Sequence, residues 1–175
     1  MAQPFNLSDL GKNQLRFLFF TYGSNMTKED YDDPETEERW CEEQKSIVTA
    51  YLHSQGVKYG RVGDWPAWHV APYVSIWAVE SLKYPECIGW WVISGDLPTD
   101  CISSSDIKAP QHPRKAIKAM AERWLQYVDE FKKGEKPADY CIGNTDSFEE
   151  LMPLLVKRAN LLIEWAKDDS LWSDL

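Results

Sequence analysis

Tyr73-Val74-Ser75-Ile76-Trp77-Ala78-Val79-Glu80, then Leu82-Lys83-Tyr84-Pro85-Glu86, then Ile88-Gly89-Trp90-Trp91-Val92-Ile93-Ser94 is the stretch that decides the fold. Both outer runs are rich in Val, Ile and Trp, which suit a pleated, half-buried surface. The Pro-containing segment between them reads as the connection of an antiparallel hairpin. Alternation sends Trp77 and one of Trp90 or Trp91 inward. Two strands alone are marginal in water, so a third strand must pair with them or helices must cover one face. Candidates for the third strand are Val57 to Val62, Asp139 to Ile142, and an apolar patch from Leu15 to Tyr22.

Moving outward, three segments carry helical signals. Asp33-Pro34 pairs a capping carboxylate with a proline at the first helical position. The helix it starts runs to about Ser54, with Trp40, Ile47, Val48, Tyr51 and Leu52 on one face and Gly56 as the stop. Pro113 opens a second helix, whose stripe Ile117, Met120, Trp124, Val128 and Phe131 holds helical period until Gly134. The last helix begins near Asp146 or Ser147. Its main stripe is Phe148, Leu151, Met152, Leu155, Ala159, Leu162 and Ala166, and Leu154, Leu161, Trp165 and Trp172 form a second apolar row. A helix apolar on two faces either lies at the centre of the domain or meets another copy of the chain, so a homodimer through this helix is one of two expectations. Pro153, near its first turn, would bend or restart the helix without ending it. The expected fold class is α+β, a Trp-rich antiparallel hairpin or small sheet covered on one face by three amphipathic helices. Residues 1–33 read as an amino-terminal appendage and 34–175 as a single α+β domain.

Bulk composition narrows the function classes. The chain has 175 residues and a formal charge of -9, enough length to bury roughly 70% of the surface exposed on unfolding. An acidic balance opposes nucleic-acid binding, which needs clustered Lys and Arg. Phe17-Leu18-Phe19-Phe20 is far too short to span a bilayer, so no membrane role is expected. Cys41, Cys87, Cys101 and Cys141 are widely separated without a Cys-x-x-Cys pair, which fits free thiols in the reducing cytoplasm. His53, His69 and His112 are too dispersed for a metal site, and no cofactor motif is present.

Nine tryptophans are too many for chance placement on the surface, and most belong in the core. Trp65 and Trp68 differ, because they flank a Gly- and Pro-broken loop beside His69 and Tyr73, where paired rings can line a pocket. His69 is a candidate general base. Asp96 and Asp100, four apart around Leu97-Pro98-Thr99, are spaced to bind a divalent cation, to do acid–base work, or to cap turns through their own backbone amides. Arg114 opposes the dipole of the helix it begins, which suggests pairing with Asp96 or Asp100. The weak catalytic candidates are therefore His69, Asp96 and Asp100, and the binding candidates Trp65, Trp68, Tyr73 and Arg114.

Two resemblances add to this reading. Thr21-Tyr22-Gly23-Ser24-Asn25-Met26 resembles the Tyr-Gly-Ser-Asn loop of γ-glutamyl cyclotransferases over about six residues, but an acidic helix follows where that family continues into a β-barrel. A wider likeness runs from Pro34 to Trp172. Its motifs are Trp65-Pro66-Ala67-Trp68-His69, Gly89-Trp90-Trp91-Val92-Ile93-Ser94-Gly95-Asp96-Leu97-Pro98-Thr99-Asp100 and His112-Pro113-Arg114. These resemble a family of small bacterial proteins grouped as a domain of unknown function, with Cys101 where an aromatic residue is expected. That resemblance implies no activity. The leading expectation is a soluble, non-enzymatic binding or interaction protein, of which an immunity-type factor is one form, with a protein or small molecule as partner. The alternative is a small hydrolase or transferase with a pocket around His69, Asp96, Asp100 and Arg114, and it requires those groups to converge.

Overall fold

The computed structural model describes residues 29–106, 111–135 and 148–173. The architecture is α+β. A four-stranded antiparallel sheet is built from β1 (Trp68–Val70), β2 (Val74–Glu80), β3 (Ile88–Gly95) and β4 (Asp100–Ser103), in that spatial order. Three helices accompany it: α1 (Pro34–Ser54), α2 (Pro113–Lys132) and α3 (Phe148–Lys167). Among the described residues no helix is long and apolar enough to cross a membrane.

The helix boundaries follow from local chemistry. Asp33 caps α1, accepting from the Thr36 amide at 3.0 Å and from its hydroxyl at 2.9 Å. At the far end Gly56 takes the left-handed conformation at φ 66°, and the Val57 amide reaches back to the Leu52 carbonyl at 3.0 Å. His112 caps α2 through its Nδ1, which accepts from the Arg114 amide at 3.2 Å. The last helix runs through Pro153 without a break.

The paired hairpin is β2 and β3, in the register Trp77↔Val92 and Ala78↔Trp91. The sheet differs from expectation in extent. Val57 to Val62 contributes only a bridge from Val62 to Val79. The added strands are β1, three residues between Pro66 and Pro72, and β4, whose Asp-Cys-Ile-Ser sequence has little strand preference and pairs because β3 offers an open edge. The Leu15–Tyr22 patch, the Thr21–Met26 loop, Asp139 to Ile142, Cys141 and the residues before Phe148 lie outside the described residues.

The expectation that helices cover one face of the sheet is corrected: both faces are covered. On one face Trp77, Val79 and Val92 pack with Val48 and Leu52 of α1. On the other, Ile76, Trp91 and Ile93 join Trp68, Val70 and Ile102 against Ile117, Met120 and Trp124 of α2 and Leu155, Leu162 and Trp165 of α3. This is why β2 is buried almost continuously where a one-sided strand would alternate. Trp77 and Trp91 are both inward, on opposite faces. Ser75, on the α1 face, is accommodated because its hydroxyl pairs with that of Ser94 at 2.9 Å and accepts from the Trp77 indole at 2.9 Å. Ile47, assigned to the buried face of α1, is exposed, and Cys41 and Gln44 occupy that face in its place.

Two details set the later geometry. Gly95 ends β3 at φ 134°, where a Cβ would overlap the Tyr73 carbonyl, and the turn it allows brings the Asp96 amide onto that carbonyl at 2.8 Å. On the outer side of β2, backbone bonds from Gly63 to Ala78 at 3.0 Å and from Ala67 to Ile76 at 2.8 Å bracket Asp64-Trp65-Pro66, which loops outward.

Candidate functional site

Trp65 is carried on that outward loop and is 47% exposed. It is held in place from beneath. Its ring meets His69 edge to face, centroids 5.7 Å apart at 84°. His69, on β1, points to the α1 side, where Nε2 lies 2.9 Å from Glu37 Oε1 and the ring tilts against Trp40 at 6.2 Å. The neighbouring Asp64 is bound on two sides, by Lys45 of α1 at 3.1 Å and by Arg61 at 3.4 Å. The hydrogen bond from Lys45, then the charges of Lys45 and Arg61, hold the Asp64 carboxyl below its ordinary range.

The two aspartates after the hairpin have separate partners. Asp96 receives the Nη2 of Arg158 at 2.7 Å, and Arg158 lies in the α3 stripe at 1% exposure. Burial pulls the Arg158 guanidinium below its ordinary value, and Asp96 counters this only in part. Asp100, 2% exposed, is a four-way acceptor. Trp124 Nε1 and Arg123 Nη2 donate to one oxygen, both at 2.7 Å, while the Cys101 amide at 2.8 Å and the Tyr51 hydroxyl at 3.4 Å donate to the other. For Arg123 burial again opposes the charge, but Asp100 together with Tyr127 and Cys101 more than offsets it and the pKa ends above its ordinary value.

Arg114 was expected to pair with Asp96 or Asp100. It instead donates through Nε to the Ala166 carbonyl at 2.6 Å and through Nη2 to Asp169 at 2.6 Å, satisfying the end of α3. The reason is placement: α2 begins beside the end of α3, far along the chain from the aspartate turn. Trp68 is buried, stacked on Trp172 with centroids 4.6 Å apart and donating to the Leu171 carbonyl at 3.2 Å. Tyr73 is buried in the larger core. Neither offers a surface to a ligand, so the proposed binding group of Trp65, Trp68, Tyr73 and Arg114 is not one patch.

The catalytic constellation is likewise not brought together. His69 is on β1 and Asp100 on β4, the two outer strands, separated by three strand spacings or about 14 Å. Asp96 is held by a helix on the face away from His69. The imidazole–carboxylate pair His69–Glu37 can hold a proton and fix the ring, but the thiol one turn from Glu37, Cys41, is buried and pushed up to about 12 by that burial and then by Glu37. It stays a neutral thiol, so this corner holds no thiolate nucleophile. A cleft of about 350 Å³ at the hairpin end, lined by Arg61, Glu80, Glu86, Cys87 and Ile88 among others, contains none of the expected site residues. Among the described residues no group of three His, Cys, Asp or Glu could hold a metal ion.

Glu37, Arg123 and Arg158 were not anticipated. Arg158 had a signal, since an arginine at a core position between Leu155 and Leu162 must find a carboxylate. Glu37, one of many acidic residues at the start of α1, had none.

Compared with known proteins, the chain matches the family model described as "Domain of unknown function (DUF4826)" over residues 35–172. No curated protein and no solved structure matches.

Proposed function

The chain belongs to the DUF4826 family, and from that premise we propose that it is a non-enzymatic binding protein which recognises a protein partner through Trp65. One observation carries this reading: a large aromatic ring stands 47% exposed against His69, which is itself held by the half-exposed Glu37 and the buried Trp40. A ring placed only for stability would be expected to bury, as Trp68, Trp77, Trp91, Trp124, Trp165 and Trp172 do. A rigid, amphipathic ring at the surface suits a recognition anchor, the residue type that dominates interface energetics.

A protein-neutralising role of the immunity type is the form of this reading that an acidic surface suggests. Free thiols at Cys41, Cys87 and Cys101 support a cytoplasmic location. A second copy of the chain has less to bind than the two apolar rows of the last helix suggest, because Trp165 and Trp172 are buried within one chain and Leu154 is left exposed.

The test is quantitative co-purification from the organism of origin, comparing the unaltered chain, Trp65→Ala and Tyr84→Ala. Tyr84 is also exposed but sits at the hairpin tip. A discrete partner retained by the unaltered chain and by Tyr84→Ala, and reduced at least tenfold with Trp65→Ala, is expected. Equal retention by all three removes the proposal.

A further inference from the structure

Resting on the binding role of Trp65, we propose that the partner presents a Lys- and Arg-rich segment to Trp65 and the solvent face of α1. Nine carboxylates lie between Glu29 and Glu43 against a single cation, Arg39, and Arg39 is engaged by Glu29 at 3.5 Å. Glu35, Glu38, Glu42 and Glu43 are exposed and make no ion pair or side-chain hydrogen bond among the described residues. A single helix turn would tolerate such charge at its amino end, but Glu42 and Glu43 lie beyond it, where the dipole offers no compensation. Their self-repulsion is relieved by a partner of opposite sign.

The position of Trp65 makes this surface more than an acidic face. Lys45, whose ammonium ties down Asp64 at 3.1 Å, precedes the Trp65 loop in space and follows Glu38 and Glu42 on α1 by seven and three residues, so all three share one side of the helix. The Trp65 loop is therefore tied to α1 at two points, Asp64 to Lys45 and, through His69, to Glu37, and the exposed Glu38 and Glu42 lie between those points along the helix. A guanidinium or ammonium laid on the open face of the indole gains a cation–π contact, while these carboxylates steer approach and set orientation. The same charges disfavour a nucleic acid and an anionic lipid surface, and a second copy would bring like charge to like.

The probe is a twelve-residue peptide of alternating Arg and Gly, with an alternating Glu and Gly peptide as its counterpart, added to the 15N-labelled full chain. The Trp65 indole N–H, identified by its loss in Trp65→Phe, is expected to shift with the Arg peptide and not with the Glu peptide. Affinity is expected to fall at least fivefold in Trp65→Ala and in a Glu38→Gln/Glu42→Gln/Glu43→Gln variant, and to weaken as salt rises. Tyr84→Ala is expected to match the unaltered chain, and matching thermal melts establish that each variant is folded. Binding that is unchanged in Trp65→Ala or in the triple variant, or an absent indole shift, overturns the proposal. If co-purification depends on Trp65 but the captured partner carries a neutral or acidic surface and the Arg peptide fails, the binding role stands and this inference falls.

Discussion

Arg158 reaches Asp96 at 2.7 Å from a core position 1% exposed. The pair spans from α3 to the turn after β3, and its asymmetry sets the expected mutational response. Asp96 is 30% exposed, so solvent screens part of the interaction. Asp96→Ala, which takes a carboxylate away from a buried guanidinium, is expected to destabilise by about 2–3 kcal/mol, below the 3–5 usual for fully buried pairs. Arg158→Met, which replaces the cation by an apolar chain of similar length, is expected to lose less. Urea unfolding of both variants gives the comparison, and the opposite order would contradict this account.

Asp100 closes a second link, tying β4 to α2 through Arg123 and Trp124. It is nearly fully buried and accepts four hydrogen bonds, so Asp100→Ala is expected to lower stability by about 3–5 kcal/mol. Asp100→Asn keeps the shape but not the charge and is expected to fall between. Equal loss in the two variants would mean that packing, not the charge-assisted bonds, is what the site contributes.

The carboxyl-terminal turn is held by an aromatic stack. Trp172 packs on Trp68 of β1 and donates its indole N–H to the Trp165 carbonyl at 2.9 Å. Trp172→Ala is expected to destabilise by about 3–5 kcal/mol, measured by thermal and urea unfolding, whereas Trp65→Ala, at a half-exposed ring with one edge-to-face contact, is expected to lose about 1 kcal/mol. The contrast between two tryptophans of equal size separates a ring used for folding from one used for recognition.

Cys41 gives a pH dependence with a defined sign. Burial, then Glu37, raise its thiol from 9.0 to about 12 in the folded chain. Below pH 9 both states are protonated and the contribution to stability is complete. Above it the unfolded thiol ionises first, and stability is lost as pH climbs toward 12. The slope of unfolding free energy against pH between 9 and 11 is expected to be shallower in Cys41→Ala. Iodoacetamide is expected to label exposed Cys87 in the native protein and to reach Cys41 only on unfolding.

The elements legible in the sequence were those with long periodic signals or strong punctuation. Asp33-Pro34, Pro113 and Gly134 place helix ends because capping chemistry is local. The β2–β3 hairpin is legible for the same reason. What was not legible depends on contacts across the fold. β4 becomes a strand only because β3 supplies a partner. Both faces of β2 are apolar, which one-sided alternation cannot convey. His69 could be singled out as unusual, but its partner Glu37 is 32 residues away and indistinguishable from its acidic neighbours. Trp65 and Trp68, three residues apart, looked alike in sequence. They part because β1 starts at Trp68 and turns that ring into the core, while the loop before Pro66 carries Trp65 outward.

The outer strands of the sheet, β1 and β4, are only three and four residues long, and the outer side of β2 is already occupied by Gly60, Gly63 and Ala67 apart from the looped-out Trp65. Such abbreviated margins leave almost no free ladder for a foreign strand to extend. Whatever associates with this protein must therefore read its side chains, and the same truncation guards an aromatic-rich sheet against end-on stacking into fibres.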